Sequence, residues 1–201
     1  MKKIFFALSL LLVFLNSYSQ KTIKMISKYG TKNKDIISLM RFQNITLESL
    51  SFESSELIGK SYEVNLKEYR KGKLVKTKNL LDGGKYVEID SINVTLKFLS
   101  KIENDKMTIF IETERMFSDK MTFDLEKKKG NDYVLKDFQG NKDFTNVSIN
   151  GEFPILAIIT PVELEKGYFS YCEIAQSEIE PEKFGEKFKI PHYFVITMKF
   201  K

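Results

Sequence analysis

The stretch INVTLKFLSKIENDKMTIFIET, residues 92–113, decides the fold class of this chain. Apolar and polar side chains alternate from Ile92 to Phe98, and apolar side chains return at every second position from Met107 to Ile111. A period of two predicts strands with one buried face, and the polar cluster at residues 103–106 is typical of a hairpin turn. The stretch therefore predicts two antiparallel strands that are neighbours in one sheet.

Similar patterns recur along the chain and predict an all-β protein. Alternation is clearest at residues 62–67 and 192–201, and shorter runs predict strands at 45–52, 74–80, 122–125, 133–138, 155–160 and 168–175. Helical patterns are few: Asp35 is expected to cap a short helix that ends near Arg41, and residues 178–187 have room for one or two turns. We expect an antiparallel β-sandwich of about ten short strands with one or two short helical turns. A barrel is less favoured, because no glycine pattern marks barrel corners.

The strand predicted at residues 45–52 changes the face on which its apolar residues lie. Ile45 and Leu47 share one parity, whereas Leu50 and Phe52 share the other. A β-bulge near Glu48-Ser49 would return all four to one face, so we expect a bulge there.

The first twenty residues have the pattern of a secretory signal peptide. A basic start at residues 1–3 precedes an apolar run over residues 4–15, and Ser17 and Ser19 are small residues at the −3 and −1 positions of a cut before Gln20. The run is shorter than the roughly 20 residues that cross a bilayer, although an uncleaved anchor is the alternative. No Cys lies near the cut, so a lipoprotein is not expected.

The predicted organisation is a cleaved signal peptide at residues 1–19 and a single β-sandwich domain at residues 20–201. Two smaller β lobes divided near residues 127–132 are the alternative. No second long apolar run follows the leader, so no stable membrane span is expected. The short lysine-rich leader and the predominance of Lys among the basic residues are typical of a secreted or periplasmic protein of a bacterial envelope.

The composition excludes several function classes. Cys172 and His192 are the only Cys and His, so the chain has no internal disulfide and cannot build a zinc site from these residue types. The formal charge of +5 falls to +3 once Lys2 and Lys3 leave with the leader, and only three of the 32 basic residues are Arg. A weak excess of charge with little Arg argues against nucleic-acid binding.

Cys172 and His192 are each expected to be buried in a strand. Cys172 has the parity of Ile174, and His192 has the parity of Phe194, so both are interpreted as core residues, His192 as a neutral ring bonded to a backbone carbonyl. A Ser-His-Asp triad is not expected, because no Gly-x-Ser-x-Gly nucleophile elbow is present. A Cys–His pair is the one nucleophilic constellation that the composition permits, and nothing in the sequence orients it.

Carboxylates supply the alternative function, a glycosidase-like hydrolase with a cleft between the sheets. Glu112 and Glu114 share a strand face, and three acids surround Pro181, namely Glu178, Glu180 and Glu182. The clusters at residues 82–84 and 141–143 do not match the spaced acids of a calcium loop, so neither a metal nor a cofactor is expected.

The densest basic cluster places six cations within twelve residues of a predicted hairpin. Its members are Lys67, Arg70, Lys71, Lys73, Lys76 and Lys78. Gly72 is available for the positive φ that the turn needs, and Glu68 is the only acid within the cluster. We predict that these six residues bind a ligand, either an anionic glycan or lipopolysaccharide phosphates; the alternative is a solvated edge that resists aggregation.

The function favoured by these patterns is an exported, non-enzymatic binding or interaction protein, with an envelope protein or an anionic glycan as its partner. A third possibility is an accessory subunit of an envelope complex, in which an exposed sheet edge recruits a partner strand. No catalytic residue is predicted.

Overall fold

The structure, a computed structural model, describes residues 21–84, 87–126, 133–177 and 179–201. The predicted signal peptide, the alternative lobe boundary at residues 127–132 and Glu178 lie outside the described residues. Within the described part of the chain, thirteen strands form antiparallel sheets with a few short helices, which confirms the all-β prediction.

The strands, in chain order, are β1 (Thr22–Tyr29), β2 (Ile45–Glu53), β3 (Tyr62–Arg70), β4 (Lys73–Asp82), β5 (Asn93–Glu103), β6 (Lys106–Thr113), β7 (Met121–Asp124), β8 (Val134–Asp137), β9 (Thr145–Ser148), β10 (Glu152–Ile159), β11 (Val162–Glu165), β12 (Tyr168–Ser170) and β13 (His192–Phe200). The helices are α1 (Lys34–Gln43), α2 (Cys172–Ala175) and α3 (Phe184–Lys187), with 3-10 turns at Ser55–Leu57 and Pro181–Lys183. The first sheet has the order β7-β6-β5-β2-β1-β9, the second has β4-β3-β13-β10-β8, and β11 pairs with β12.

The two large sheets pack face to face around one apolar core. Phe52 of β2 lies between two rings of the second sheet, with its ring centroid 6.1 Å from that of Phe153 and 5.6 Å from that of Phe200. Residues of β5 and β6 that alternate in the sequence, such as Leu96 and Ile109, are buried in the same core. The hairpin that the sequence predicts from residues 92–113 therefore supplies inward-facing residues of the first sheet.

The second sheet is buried on both faces. The inner face of β13 joins the main core through residues such as Ile196, while its outer face joins a second apolar cluster through Tyr193 and Val195. That cluster includes Ile174 of α2 and Phe184 of α3, so the segment after β12 covers this face of the sheet. Eight of the nine residues of β13 are consequently buried.

The expectation that residues 168–175 form one strand with a buried Cys172 is wrong. The strand ends at Ser170, and α2 begins at Cys172, whose side chain is exposed. Residues two apart share one face of a strand but lie about 200° apart around a helix. The helical turn therefore buries Ile174 and turns Cys172 outward.

The predicted bulge in β2 is also wrong. The strand pairs with β1 and β5 in continuous register. Glu48 therefore occupies an inward-facing position, where an apolar side chain is expected from the sequence pattern. The Glu48 side chain is 3% exposed and its Oε1 accepts a hydrogen bond of 2.5 Å from the Ser27 hydroxyl. Burial raises the pKa of Glu48 above its ordinary value, while the Ser27 hydroxyl opposes the shift.

The helix α1 begins two residues earlier than the sequence suggests. Asn33, not Asp35, is its cap: the Asn33 Oδ1 accepts hydrogen bonds from the amides of Asp35 and Ile36 at 3.0 and 3.2 Å. Ile37 and Met40 of α1 line a shallow cleft together with Ile45 of β2. This contact explains why Ile45 faces away from the core without a bulge.

Replacement of Ile196 tests whether the sandwich unfolds as one unit. Ile196 is fully buried at the middle of β13, so Ile196→Ala is expected to lower the free energy of unfolding by about 2–5 kcal/mol. The measurement is urea unfolding followed by circular dichroism, and the control is Lys199→Ala on the exposed position of the same strand. A single transition that shifts as a whole agrees with one domain, whereas two transitions of which only one moves would contradict it.

Candidate functional site

The predicted basic hairpin is formed by β3 and β4. The turn residues Lys71 and Gly72 have φ values of 50° and 74°, and two successive positive φ angles are typical of the tight turn that matches the twist of a hairpin. β4 is ten residues long and is an edge strand of the second sheet. Its first seven residues are exposed, so one side of this strand is open to a ligand.

The turn is held against the C-terminal part of the chain. The Lys71 amide donates a hydrogen bond of 2.7 Å to the Pro191 carbonyl oxygen. Gly72 also packs backbone to backbone on Gly185 of α3, where an added Cβ would lie 2.4 Å from the Gly72 nitrogen. The absence of a side chain at Gly185 therefore allows α3 to support the turn.

The structure divides the six predicted cations between two faces of the sheet. Cross-strand partners project to the same side, and Lys76 is the partner of Glu68 while Lys78 is the partner of the core residue Leu66. Lys76 and Lys78 therefore lie on the side that faces the first sheet. Lys67 has the opposite parity to Glu68, so its side chain lies on the outer side.

Two of the six cations are matched by carboxylates. The Lys67 Nζ lies 2.5 Å from Glu152 Oε2, and this contact with the Thr197 hydrogen bond holds the pKa of Glu152 below its ordinary value although burial alone would raise it. The Arg70 guanidinium donates to Glu68 Oε1 at 2.8 Å and to Glu126 Oε1 at 2.5 Å. Lys67 and Arg70 are therefore engaged within the fold.

The other four cations form a surface that we name the lysine rim, consisting of Lys71, Lys73, Lys76 and Lys78. None of them forms an ion pair with any residue in the described ranges. The Lys78 Nζ lies 5.3 Å from the ring centroid of Phe123 on β7, the edge strand of the first sheet. The rim thus lies at the side where the edges of the two sheets approach each other.

Behind the rim, Arg70, whose side chain remains partly exposed, joins a polar network around the buried His192. The His192 ring has no exposed surface; its Nδ1 lies 2.7 Å from the Tyr133 hydroxyl and its Nε2 lies 3.2 Å from Glu68 Oε1. The expectation that His192 is a core residue is confirmed, but its partners are side chains rather than a backbone carbonyl. These partners come from β3 and from the residue that precedes β8.

The partners determine which ring nitrogen carries the proton. Burial, followed by the charge of Arg70, lowers the pKa of His192, while Glu126 and Glu68 act in the opposite direction. In the neutral ring, Nε2–H donates to the Glu68 carboxylate and Nδ1 accepts from the Tyr133 hydroxyl. Burial raises the pKa of Tyr133 to about 12, so its hydroxyl keeps the proton that it donates.

The Cys–His pair considered from the sequence is not assembled. His192 is fully buried between Tyr133 and Glu68, whereas Cys172 is exposed at the start of α2. A substrate would have to displace core residues to reach the imidazole ring. In the folded chain the network links β3, β13 and the residue before β8, and Glu68 holds the Arg70 guanidinium.

The carboxylates considered for hydrolysis lie at two separate places on the surface. Glu112 faces Lys97 at 3.6 Å on the first sheet, while Glu180 and Glu182 line an open groove of about 700 Å³ beside β9 and β10. Glu180 pairs with Lys183 at 2.7 Å, and Glu182 accepts a hydrogen bond of 3.3 Å from the Tyr69 hydroxyl. No group of three or more Asp, Glu, His or Cys side chains in the described ranges could hold a metal ion.

Comparison with protein families, with curated proteins and with solved structures finds no match. Among the described residues, no helix is long and apolar enough to cross a membrane.

Sequence reasoning missed the carboxylates that pair with Lys67 and Arg70 and so separate these two cations from the other four. Glu126 and Glu152 are 56 and 85 positions from their cationic partners, so no local pattern connects them. Tyr133 begins a predicted strand, but its contact with His192 depends on the pairing of β8 with β10. The two-residue spacing of Lys76 and Lys78 within a predicted strand is the one sequence signal that puts two of these cations on the same face of the sheet.

Replacement of Gly185 tests how α3 supports the turn. In Gly185→Ala the new methyl group overlaps the backbone of Gly72, so the free energy of unfolding is expected to fall by about 1–3 kcal/mol. Glu186→Ala, at the next and exposed position, is the control and is expected to leave stability within about 0.5 kcal/mol. Equal stability of the two variants in thermal unfolding would contradict the packing described.

The titration of His192 tests the buried network. At a pH above the ordinary His pKa of 6.5, the ring is neutral in both the folded and the unfolded states. At a pH below 6.5, the unfolded chain binds a proton on His192, whereas the folded protein does not, because its His192 pKa is lower. The free energy of unfolding is therefore expected to fall as the pH drops below 6.5, until the lower folded-state pKa is passed. Because the chain has one His, its imidazole proton resonance reports the folded-state pKa directly. A midpoint at or above 6.5 would be incompatible with this network, and His192→Gln should remove the corresponding pH dependence.

Proposed function

We propose that this chain is an exported, non-enzymatic binding module of the cell envelope or the extracellular space, and that the lysine rim binds an anionic glycan. The observation that carries the proposal is a set of four exposed lysines, Lys71 in the turn and three on the edge strand β4, none of which has an ion-pair partner among the described residues. Export itself is supported by the leader pattern in the sequence.

The arrangement of the rim favours an extended anion over a compact one. Residues two apart on a strand lie about 6.5–7 Å apart, so Lys76 and Lys78 form part of a row rather than a closed pocket. Lys supplies a compact point charge on a flexible stem, in contrast to the planar fork of Arg. A row of such charges suits a polymer that carries repeated carboxylate or sulfate groups.

The supported turn gives the rim a defined shape. Lys71 has its amide bonded to Pro191, and its neighbour Gly72 packs on Gly185. A preformed surface loses less conformational freedom when it binds than a mobile loop does. Of the six predicted binding residues, Lys67 and Arg70 contribute less in this proposal, because Glu152 and Glu126 already contact them.

A second candidate function uses the same edge strand to recruit a partner strand. Leu74 and Val75 of β4 are about half exposed, and an edge strand carries unpaired backbone groups that a second chain can join. Binding of this kind would depend on the backbone and on these apolar side chains rather than on the lysines. Salt dependence therefore separates the two candidates, since screening weakens a lysine–anion contact more than a strand pairing.

Charge reversal on the rim tests the proposal. The variant Lys73→Glu/Lys76→Glu/Lys78→Glu is expected to bind immobilised heparin at least about tenfold more weakly than the unaltered protein, because each exposed ion pair is worth roughly 0.5 kcal/mol or more. The measurement is surface plasmon resonance over a series of salt concentrations, with vesicles containing lipopolysaccharide as a second probe. The unaltered protein should lose affinity steeply as salt rises.

The matched control is Lys120→Glu/Lys142→Glu/Lys166→Glu, which changes the net charge by the same amount at exposed positions outside the rim. It should bind heparin like the unaltered protein. Equal losses in both triple variants would mean that binding follows net charge alone, and no loss in either would also overturn the proposal. Retention of a salt-insensitive protein partner by the rim variant would favour strand recruitment instead.

A further inference from the structure

The helix α1 lies on the outside of the sandwich, between β1 and β2. It has ten residues and none of them is buried. The helix is nevertheless fixed at both ends: Asn33 caps its start, and Asn44, with a φ of 54°, ends it through amide hydrogen bonds to the carbonyls of Met40 and Arg41. The surface that α1 presents is therefore already formed before anything binds to it.

The apolar side chains of α1 point in two directions. Ile37 and Met40 are half-buried and line the cleft beside β2. The other apolar side chains are exposed, and with Tyr29 at the end of β1 they form a surface that we name the apolar corner: Tyr29 (75% exposed), Ile36 (44%), Leu39 (63%) and Phe42 (80%). Such exposure is costly in water, since a single Leu or Phe side chain gains about 1.5–3 kcal/mol when it is buried.

Cations accompany the apolar corner. Lys28, Lys32, Lys34 and Arg41 are exposed, and none of them forms an ion pair with a residue in the described ranges. Asp35 is the only acid between residues 28 and 43. The partner of this surface must therefore offer both an apolar phase and negative charge.

We infer that the apolar corner docks on an anionic lipid surface, with α1 lying in the plane of the interface. Exposed Leu and Phe side chains with Lys and Arg beside them are the composition of helices that bury one face at the boundary between headgroups and acyl chains. A helix of ten residues is about 15 Å long, which suits a position on the membrane and not across it. The exposed residues of the corner extend from the end of β1 to the end of α1, as contact with a broad surface requires.

This inference does not depend on the proposed function, because the apolar corner and the lysine rim share no residue. Both surfaces would respond to negative charge, so the decisive substitutions must remove apolar side chains and keep every charge. The failure of one proposal then leaves the other unaffected.

The experiment measures the binding of the protein to lipid vesicles by co-sedimentation. The full chain is expressed, and the mass of the purified product shows whether the leader has been removed. The unaltered protein is expected to bind vesicles of phosphatidylcholine that contain phosphatidylglycerol, and to bind pure phosphatidylcholine much less. Leu39→Ser/Phe42→Ser is expected to lower the partition coefficient at least about tenfold, because each side chain contributes roughly one factor of ten or more.

Two further variants make the result specific. Ile58→Ser/Phe117→Ser removes two equally exposed apolar side chains elsewhere and should bind anionic vesicles like the unaltered protein. Lys32→Gln/Lys34→Gln should weaken binding by about fivefold for each lysine, and only when phosphatidylglycerol is present.

Equal binding by Leu39→Ser/Phe42→Ser and the unaltered protein would overturn the inference, as would the failure of the unaltered protein to bind anionic vesicles. Circular dichroism of each variant excludes misfolding as the cause of a loss. If a photo-crosslinker at position 42 captures a protein while vesicles do not bind, the corner is a protein interface and the lipid proposal is wrong.

Discussion

The fold depends on the requirement that β13 be apolar on both of its faces. Its inward residues complete the core between the sheets, and its outward residues are covered by α2, α3 and the chain that joins them to β13. It also pairs with β3 on one side and β10 on the other, so the second sheet is continuous only through this strand. The same arrangement brings Pro191 and α3 against the hairpin turn, so it fixes the shape of the lysine rim as well as the core.

Elements with a full alternating pattern could be predicted from the sequence, and elements that depend on distant partners could not. β5 and β6 follow from their own residues, because apolar side chains occupy most of the inward-facing positions of each strand. β1 and β9 were missed: β1 offers only Ile23 and Met25 as a short alternation, and Val147 is the only apolar residue of β9. Cys172 was wrongly placed in the core because residues 168–175 were interpreted as one strand. A strand and a single helical turn put the same residue on different faces, and a turn of four residues is too short for its sequence to distinguish the two.

The candidate site was predictable as a concentration of charge but not as a surface. The sequence shows the six cations of the hairpin. Which of them form ion pairs depends on carboxylates that only the folded chain brings near them. Arg70 shows the effect most clearly: its guanidinium compensates Glu68, which in turn holds His192 inside the fold. A cation that already pairs with a carboxylate of the same protein contributes little to an external ligand. The lysines of β4 differ, because no acid among the described residues pairs with them.

The long sequence separation between β3 and β13 has a consequence for biosynthesis. Glu68 and His192 meet across 124 positions, so at about 5–20 residues per second the ribosome needs on the order of ten seconds to supply the strand that completes the sheet. During this interval a hairpin of β3 and β4 would have an uncovered apolar face and an open edge, a state that is prone to aggregate. The lysines of β4 would repel a second copy of the same hairpin, so the row of charges opposes aggregation while the chain is still being made.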